Sequence, residues 1–144
     1  MTLIEFFGKD AIENICSSLV KVPDRIVLIG DRKSIQKHAD RYKTILSARG
    51  IAVDILCRTI NKNKMQSIVD SLSGIVEEFN DCVFDLTGGD ELCLVAVGMV
   101  FEKYKDRNLQ MHRINVRNNT IVDADQDGQT IMEQPAPFLT IEEN

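Results

Sequence analysis

The chain of 144 residues and 16.2 kDa is the length of one domain with a full hydrophobic core, and 44% hydrophobic with 27% charged residues excludes a disordered polymer. A formal charge of −5 argues against a general nucleic-acid binder, and no apolar run approaches the roughly 20 residues of a membrane span. The opening MTLIEFFGKD is no signal peptide, and Cys16, Cys57, Cys82 and Cys93 form no C-x-x-C, so a cytoplasmic protein with free thiols is expected.

The elements alternate along the chain. Leu3–Phe7 predicts a short strand, and Asp10 then caps a helix with Ile12, Ile15, Cys16 and Leu19 at helical spacing, Glu13 completing a capping-box-like start. Pro23 ends that helix, and Arg25–Ile29 is a β-branched strand stopped by Gly30. Ser34 to Arg49 is a polar, basic helix closed by Gly50. Ile51–Leu56 is a third strand. Met65, Ile68, Val69, Leu72, Ile75, Val76 and Phe79 form one stripe on the next helix. Cys82–Leu86 is a fourth strand, and Thr87-Gly88-Gly89 turns into a helix over Glu91–Tyr104 that is apolar nearly all round. Such a helix needs cover on more than one side. Gln110–Val116 and Thr120–Asp123 form a hairpin, and the acidic, Pro-broken remainder is extended.

This order predicts an α/β, Rossmann-like, doubly wound and mostly parallel sheet with helices on both faces and a C-terminal β-hairpin. Strand order near 3-2-1-4 follows, with the last strands beyond the fourth. Residues 1–123 are expected to form the domain, and residues 124–144 an acidic tail or the start of a linker.

Ligands of open α/β sheets bind off the carboxyl ends of the strands where strand order reverses, here between the first and fourth. Gly8-Lys9, Gly30-Asp31-Arg32-Lys33 and Thr87-Gly88-Gly89-Asp90 are therefore the candidate ligand-binding residues. The Thr-Gly-Gly turn opens a helix whose free amides suit phosphate; alternatively it is a plain turn with Asp90 as N-cap. Lys9, Arg32 and Lys33 favour an anion, whereas Asp31, Asp90 and Glu91 repel phosphate but suit ribose hydroxyls or adenine amino groups. Residues 21–64 hold eleven of the 17 Lys and Arg against Asp24, Asp31, Asp40 and Asp54, a local positive field fit for a small polyanion.

Sharper enzymatic motifs are missing: no G-x-G-x-x-G, no G-x-x-x-x-G-K-[ST] and no G-x-S-x-G. His38 and His112 read as structural, and Cys93 as packing. Asp123 to Gly128 imitates the start of a calcium loop, yet the required Glu falls on Gln134 and Pro135 follows, so no metal site and no cofactor are expected.

The frame LIEFFGKDAIENI, PDRIVLIGDRK and FDLTGGDELCLVAVG resembles the CARF (CRISPR-associated Rossmann fold) domain, in the branch that precedes a PD-(D/E)xK-type nuclease domain. Its most specific element is the D-L-T-G-G turn, Asp85 to Gly89, and the pair after it is Asp90-Glu91 where relatives often carry a polar-basic pair. The resemblance implies a homodimer binding a cyclic oligoadenylate, with cyclic tetra-adenylate foremost, to regulate a type III CRISPR-associated effector nuclease lying outside these residues. It implies that Thr87, Gly88 and Gly89 hold phosphate or ribose, that Gly8 and Lys9 line the floor and that Gly30 to Lys33 form the rim. No membrane and no direct duplex nucleic-acid contact is expected, and effector chemistry is absent from the fragment; slow cleavage of the bound ring stays open. The alternative is a monomeric Rossmann-like enzyme or carrier of a mononucleotide or similar phosphate ligand.

Overall fold

Side chains on successive residues of a strand point to opposite faces, and strands apolar at every position are covered on both. In the computed structural model, which describes residues 1–7, 23–115, 120–123 and 130–132, the first two strands are covered in this way on both faces. β1 (Thr2–Phe6) is buried throughout and β2 (Arg25–Gly30) nearly so. With β3 (Asp54–Thr59), β4 (Cys82–Asp85), β5 (Gln110–Asn115), β6 (Thr120–Asp123) and β7 (Thr130–Met132) they form one seven-stranded sheet in the order β3-β2-β1-β4-β5-β6-β7. The first five are parallel; β6 and β7 return antiparallel. The Rossmann-like class, the order 3-2-1-4 and the hairpin are as expected.

Helices α1 (Arg32–Ala48), α2 (Met65–Glu78) and α3 (Glu91–Lys103) flank the sheet. Ile4, Phe6, Val27, Ile29 and Phe84 face α2 and α3, meeting Ile68, Leu72, Ile75, Ala96, Val97 and Val100. Leu3, Ile26, Leu28 and Val83 face the other way, onto Ala39, Tyr42 and Leu46 of α1. Each fully buried aliphatic side chain contributes roughly 1.5–3 kcal/mol of transfer free energy.

Local chemistry sets the boundaries. α1 starts two residues earlier than the sequence predicts, because the Asp31 side chain accepts from the Ser34 amide at 2.7 Å and so acts as N-cap. It ends as expected at Gly50, whose φ of +73° suits glycine; Ile51 and Gly50 donate to the carbonyls of Leu46 and Ser47, a Schellman closure. β3 is displaced from the predicted 51–56 to Asp54–Thr59. Ile51 and Val53 are apolar because they pack under α1, and pairing begins where Asp54 meets Arg25.

Thr130–Met132 lies in the segment read as extended and pairs with β6. The helix expected after Asp10 and most of the calcium-loop imitation, together with Gln134 and Pro135, lie outside the described residues, as do Gly8 and Lys9. No described helix is long and apolar enough to cross a membrane.

Candidate functional site

Parallel strands deliver all their carboxyl ends to one edge of the sheet, and β1 lies between β2 and β4, so the loops after these strands part there. A crevice of about 830 Å³ opens at this edge. Of the expected residues, Gly30, Asp31, Lys33, Thr87, Gly88, Gly89 and Asp90 line it together. Arg32 does not: it is exposed on the first turn of α1 and absent from the lining.

The wall from β4 is built by a buried acid. Asp85 Oδ1 accepts from the Thr87 amide at 3.0 Å, and the Gly89 amide closes a tight turn on the Leu86 carbonyl at 3.2 Å. A Cβ on Gly89 would sit 3.2 Å from Leu94 Cδ2 and 3.5 Å from Phe6, so the turn packs closely against α3 and β1. Asp90 then caps α3, its Oδ1 accepting from the Cys93 amide at 3.0 Å. The plain-turn alternative is correct in this respect, and both helix N-termini at the crevice carry an aspartate of their own.

Asp85 belongs to a buried polar row. Glu5 on β1, Asp85 on β4 and His112 on β5 are in mutual register and essentially inaccessible. By alternation they point to the α1 side, with Leu3 and Val83. The row lies directly beneath the Thr87 turn and fixes it through Asp85.

The opposite wall is basic. Lys33 and Lys37, one helical turn apart on α1, line the crevice with Ser34 and His38, and the His38 ring lies 6.1 Å from that of Phe7. Lys62 enters from the loop after β3, its Nζ 3.0 Å from Asp31 Oδ2. The Ser34 amide and Lys62 together hold the Asp31 carboxyl down to about 2, and Asp31 in turn raises Lys62. At the floor, burial and the Asp90 carboxylate push the Cys93 thiol up to about 12, so it stays neutral and unreactive as its packing role requires.

Sequence reasoning missed Lys37, His38 and Lys62. For Lys62 the signal was positional: a loop after a parallel strand ends at the binding edge whatever its composition. Among the described residues no cluster of His, Cys, Asp or Glu fits a metal ion. The arrangement offers three ammonium groups, the hydroxyls of Ser34 and Thr87, glycine backbone and two fixed carboxylates, a set chemically suited to an anionic ligand with hydroxyl or amino groups.

No family model matches the sequence, and no curated protein does. Solved structures do match in fold. Can2 from Sulfobacillus thermosulfidooxidans, determined in complex with cyclic tetra-adenylate, superposes with a TM-score of 0.78 at 12% identity, covering 94% of this chain and 36% of that one. Protein VC1899 from Vibrio cholerae superposes with a TM-score of 0.71 at 16% identity, covering 89% and 34%. The likeness is one of fold, and the chain spans about a third of either protein's length.

Proposed function

We propose that this chain is a CARF-type sensor domain that binds a cyclic oligoadenylate, cyclic tetra-adenylate foremost, across a homodimer and thereby regulates an effector nuclease of type III CRISPR defence. The observation that carries this reading is the crevice between β1 and β4, where the Thr87-Gly88-Gly89 turn faces the lysines of α1 and the β3 loop. The shared fold with a protein determined with cyclic tetra-adenylate supports the choice of ligand. A ring of alternating phosphates and adenosines matches the lining: lysines for phosphate, and the Asp90 carboxylate for a ribose hydroxyl or adenine amino group. A second copy is favoured by Leu94, Val95 and Met99, which stand 40%, 54% and 48% exposed on α3 beside the crevice turn.

Holding a ring in this site requires no reacting side chain. The lysines neutralise phosphate charge, the Asp85-braced turn fixes the Thr87 hydroxyl, and closure of two such crevices around one ligand links occupancy to the relation between protomers. The proposal places the protein in the cytoplasm, with effector chemistry in another domain or chain.

Calorimetric titration with cyclic tetra-adenylate and cyclic hexa-adenylate, with linear oligomers as controls, tests the reading. One ring per two chains is the expected result, and silence from both rings in a folded dimer overturns it. A crevice of about 830 Å³ is also ample for one nucleotide per chain, so one-to-one binding of a mononucleotide by a monomer would favour the carrier alternative. Thr87→Val keeps the side-chain volume and removes the hydroxyl; about tenfold weaker ring binding with unchanged dimer mass is expected.

A further inference from the structure

The loop after β3 is held by its own hydrogen bonds. The Ile60 amide donates to the Gly30 carbonyl at 3.0 Å, the Asn61 amide to Ser67 Oγ at 3.1 Å, the Asn63 amide to Asn61 Oδ1 at 3.1 Å and the Lys64 amide to the Asn61 carbonyl at 3.0 Å. An Asx turn of this kind fixes the backbone of Lys62 at the crevice rim while the side chain stays half exposed, at 51%. Its ion pair among the described residues is with Asp31.

The two partners are held very differently. Asp31 Oδ1 is engaged by the Ser34 amide and would stay in place if Lys62 left, because the N-cap bond belongs to α1. Among the described residues Lys62 has no such second anchor, and it carries three rotatable donors on a flexible stem. Asp90 also acts on it through its field. The cation is therefore mobile and the anion fixed, and both line the same cavity.

We propose that Lys62 is the cation that a phosphate group of the ligand takes over from Asp31, so that the two members of this ion pair act on ligand affinity with opposite sign. The inference rests on the reading of the crevice as a cyclic oligoadenylate site. In the empty crevice Lys62 cancels the charge of Asp31. When a phosphate engages Lys62, Asp31 is left facing an anion, which costs affinity. Asp31 thus opposes binding of the anionic ligand and Lys62 supports it.

The test is calorimetric titration of the dimer with cyclic tetra-adenylate in wild type, Asp31→Asn, Lys62→Gln, the double variant and Lys64→Gln. Asparagine caps a helix as well as aspartate, so Asp31→Asn keeps α1 and removes the charge; about three- to tenfold tighter binding is expected. Lys62→Gln should bind about three- to tenfold more weakly, and its loss should be larger in the Asp31→Asn background, where Lys62 is free from the outset. Lys64→Gln, on the same loop but outside the lining, should stay within about twofold of wild type. Thermal melts of all variants within a few degrees of wild type establish that folding is intact. If wild type binds the ring and the Asp31 and Lys62 variants both weaken or both leave affinity unchanged, this inference fails and the sensor reading stands. If wild type binds no ring, both fall together.

Discussion

Helices α1 and α3 start at the same edge of the sheet, each behind an aspartate that accepts from the amide three residues on, Ser34 at 2.7 Å and Cys93 at 3.0 Å. Beyond that first turn they diverge. α1 meets the sheet through Ala39, Tyr42 and Leu46, and presents Lys33, Lys37 and Arg41 outward on one stripe. α3 buries Cys93, Ala96, Val97 and Val100, shares its core with α2, and leaves Leu94, Val95 and Met99 at the surface. The same capping chemistry therefore positions two helices whose outer faces differ in kind: lysine and arginine on α1, exposed apolar side chains on α3. What a helix start at a binding edge settles is where the helix lies, and its outer residues settle what it meets.

The comparison breaks first at the inner anchor of α1. Tyr42 is its largest buried side chain, and α1 has few others, so Tyr42→Ala should cost about 3–5 kcal/mol in denaturant unfolding. A loss below about 1 kcal/mol would mean that α1 is not held by this row of contacts. Next comes the outer face of α3. Val95→Glu adds a charge at an exposed position, so monomer stability should change by no more than about 0.5 kcal/mol. Dissociation of the proposed dimer should rise about a hundredfold by analytical ultracentrifugation. A dimer that tolerates the charge would place the second copy elsewhere.

The smallest effect lies at the α1 cap. Asp31 is held down to about 2 against an ordinary value of 3.8. A carboxyl lowered by folding binds its proton less readily in the native state, so its contribution is complete above the ordinary value and lost as pH falls towards the native one. Acid unfolding curves of wild type and Asp31→Asn should therefore converge between about pH 4 and 2 and run parallel above it. A separation that does not change with pH would show that the Asp31 carboxylate gains nothing from Ser34 and Lys62.

Much of this was legible in the residues. The β-branched runs, the apolar stripe of α2 and the glycine at 50 report local preferences, and such signals located eight elements to within two positions, while the handedness of crossovers set the expected strand order. β3 was misplaced because Ile51 and Val53 satisfy a strand pattern while serving the α1 core, a distinction that only packing makes. Of the expected residues, the Thr87 turn, Gly30, Asp31 and Lys33 come together at the crevice because topology sends those loops to one edge. Lys62 was hidden in a lysine- and asparagine-rich stretch with no motif; its place depends on the turn that Asn61 and Ser67 build. Arg32 was over-read, since adjacent residues on a helix point about 100° apart and Lys33 already takes the crevice side.

β1 pairs with β2 on one side and with β4 on the other, and the latter contact joins Thr2 to Cys82, residues about 80 positions apart in the chain. Closing so distant a contact is entropically slow and comes after the local helices have begun to form. The crevice needs Phe6, Gly30, Lys62 and Thr87 at once, so it exists only when this central pairing is complete. A nascent chain has no such crevice until β4 has been synthesised and docked. Occupancy then draws on the whole cooperative fold, and ligand should raise the melting temperature of the entire domain, in proportion to the logarithm of its concentration, where a site on one loop would protect that loop alone.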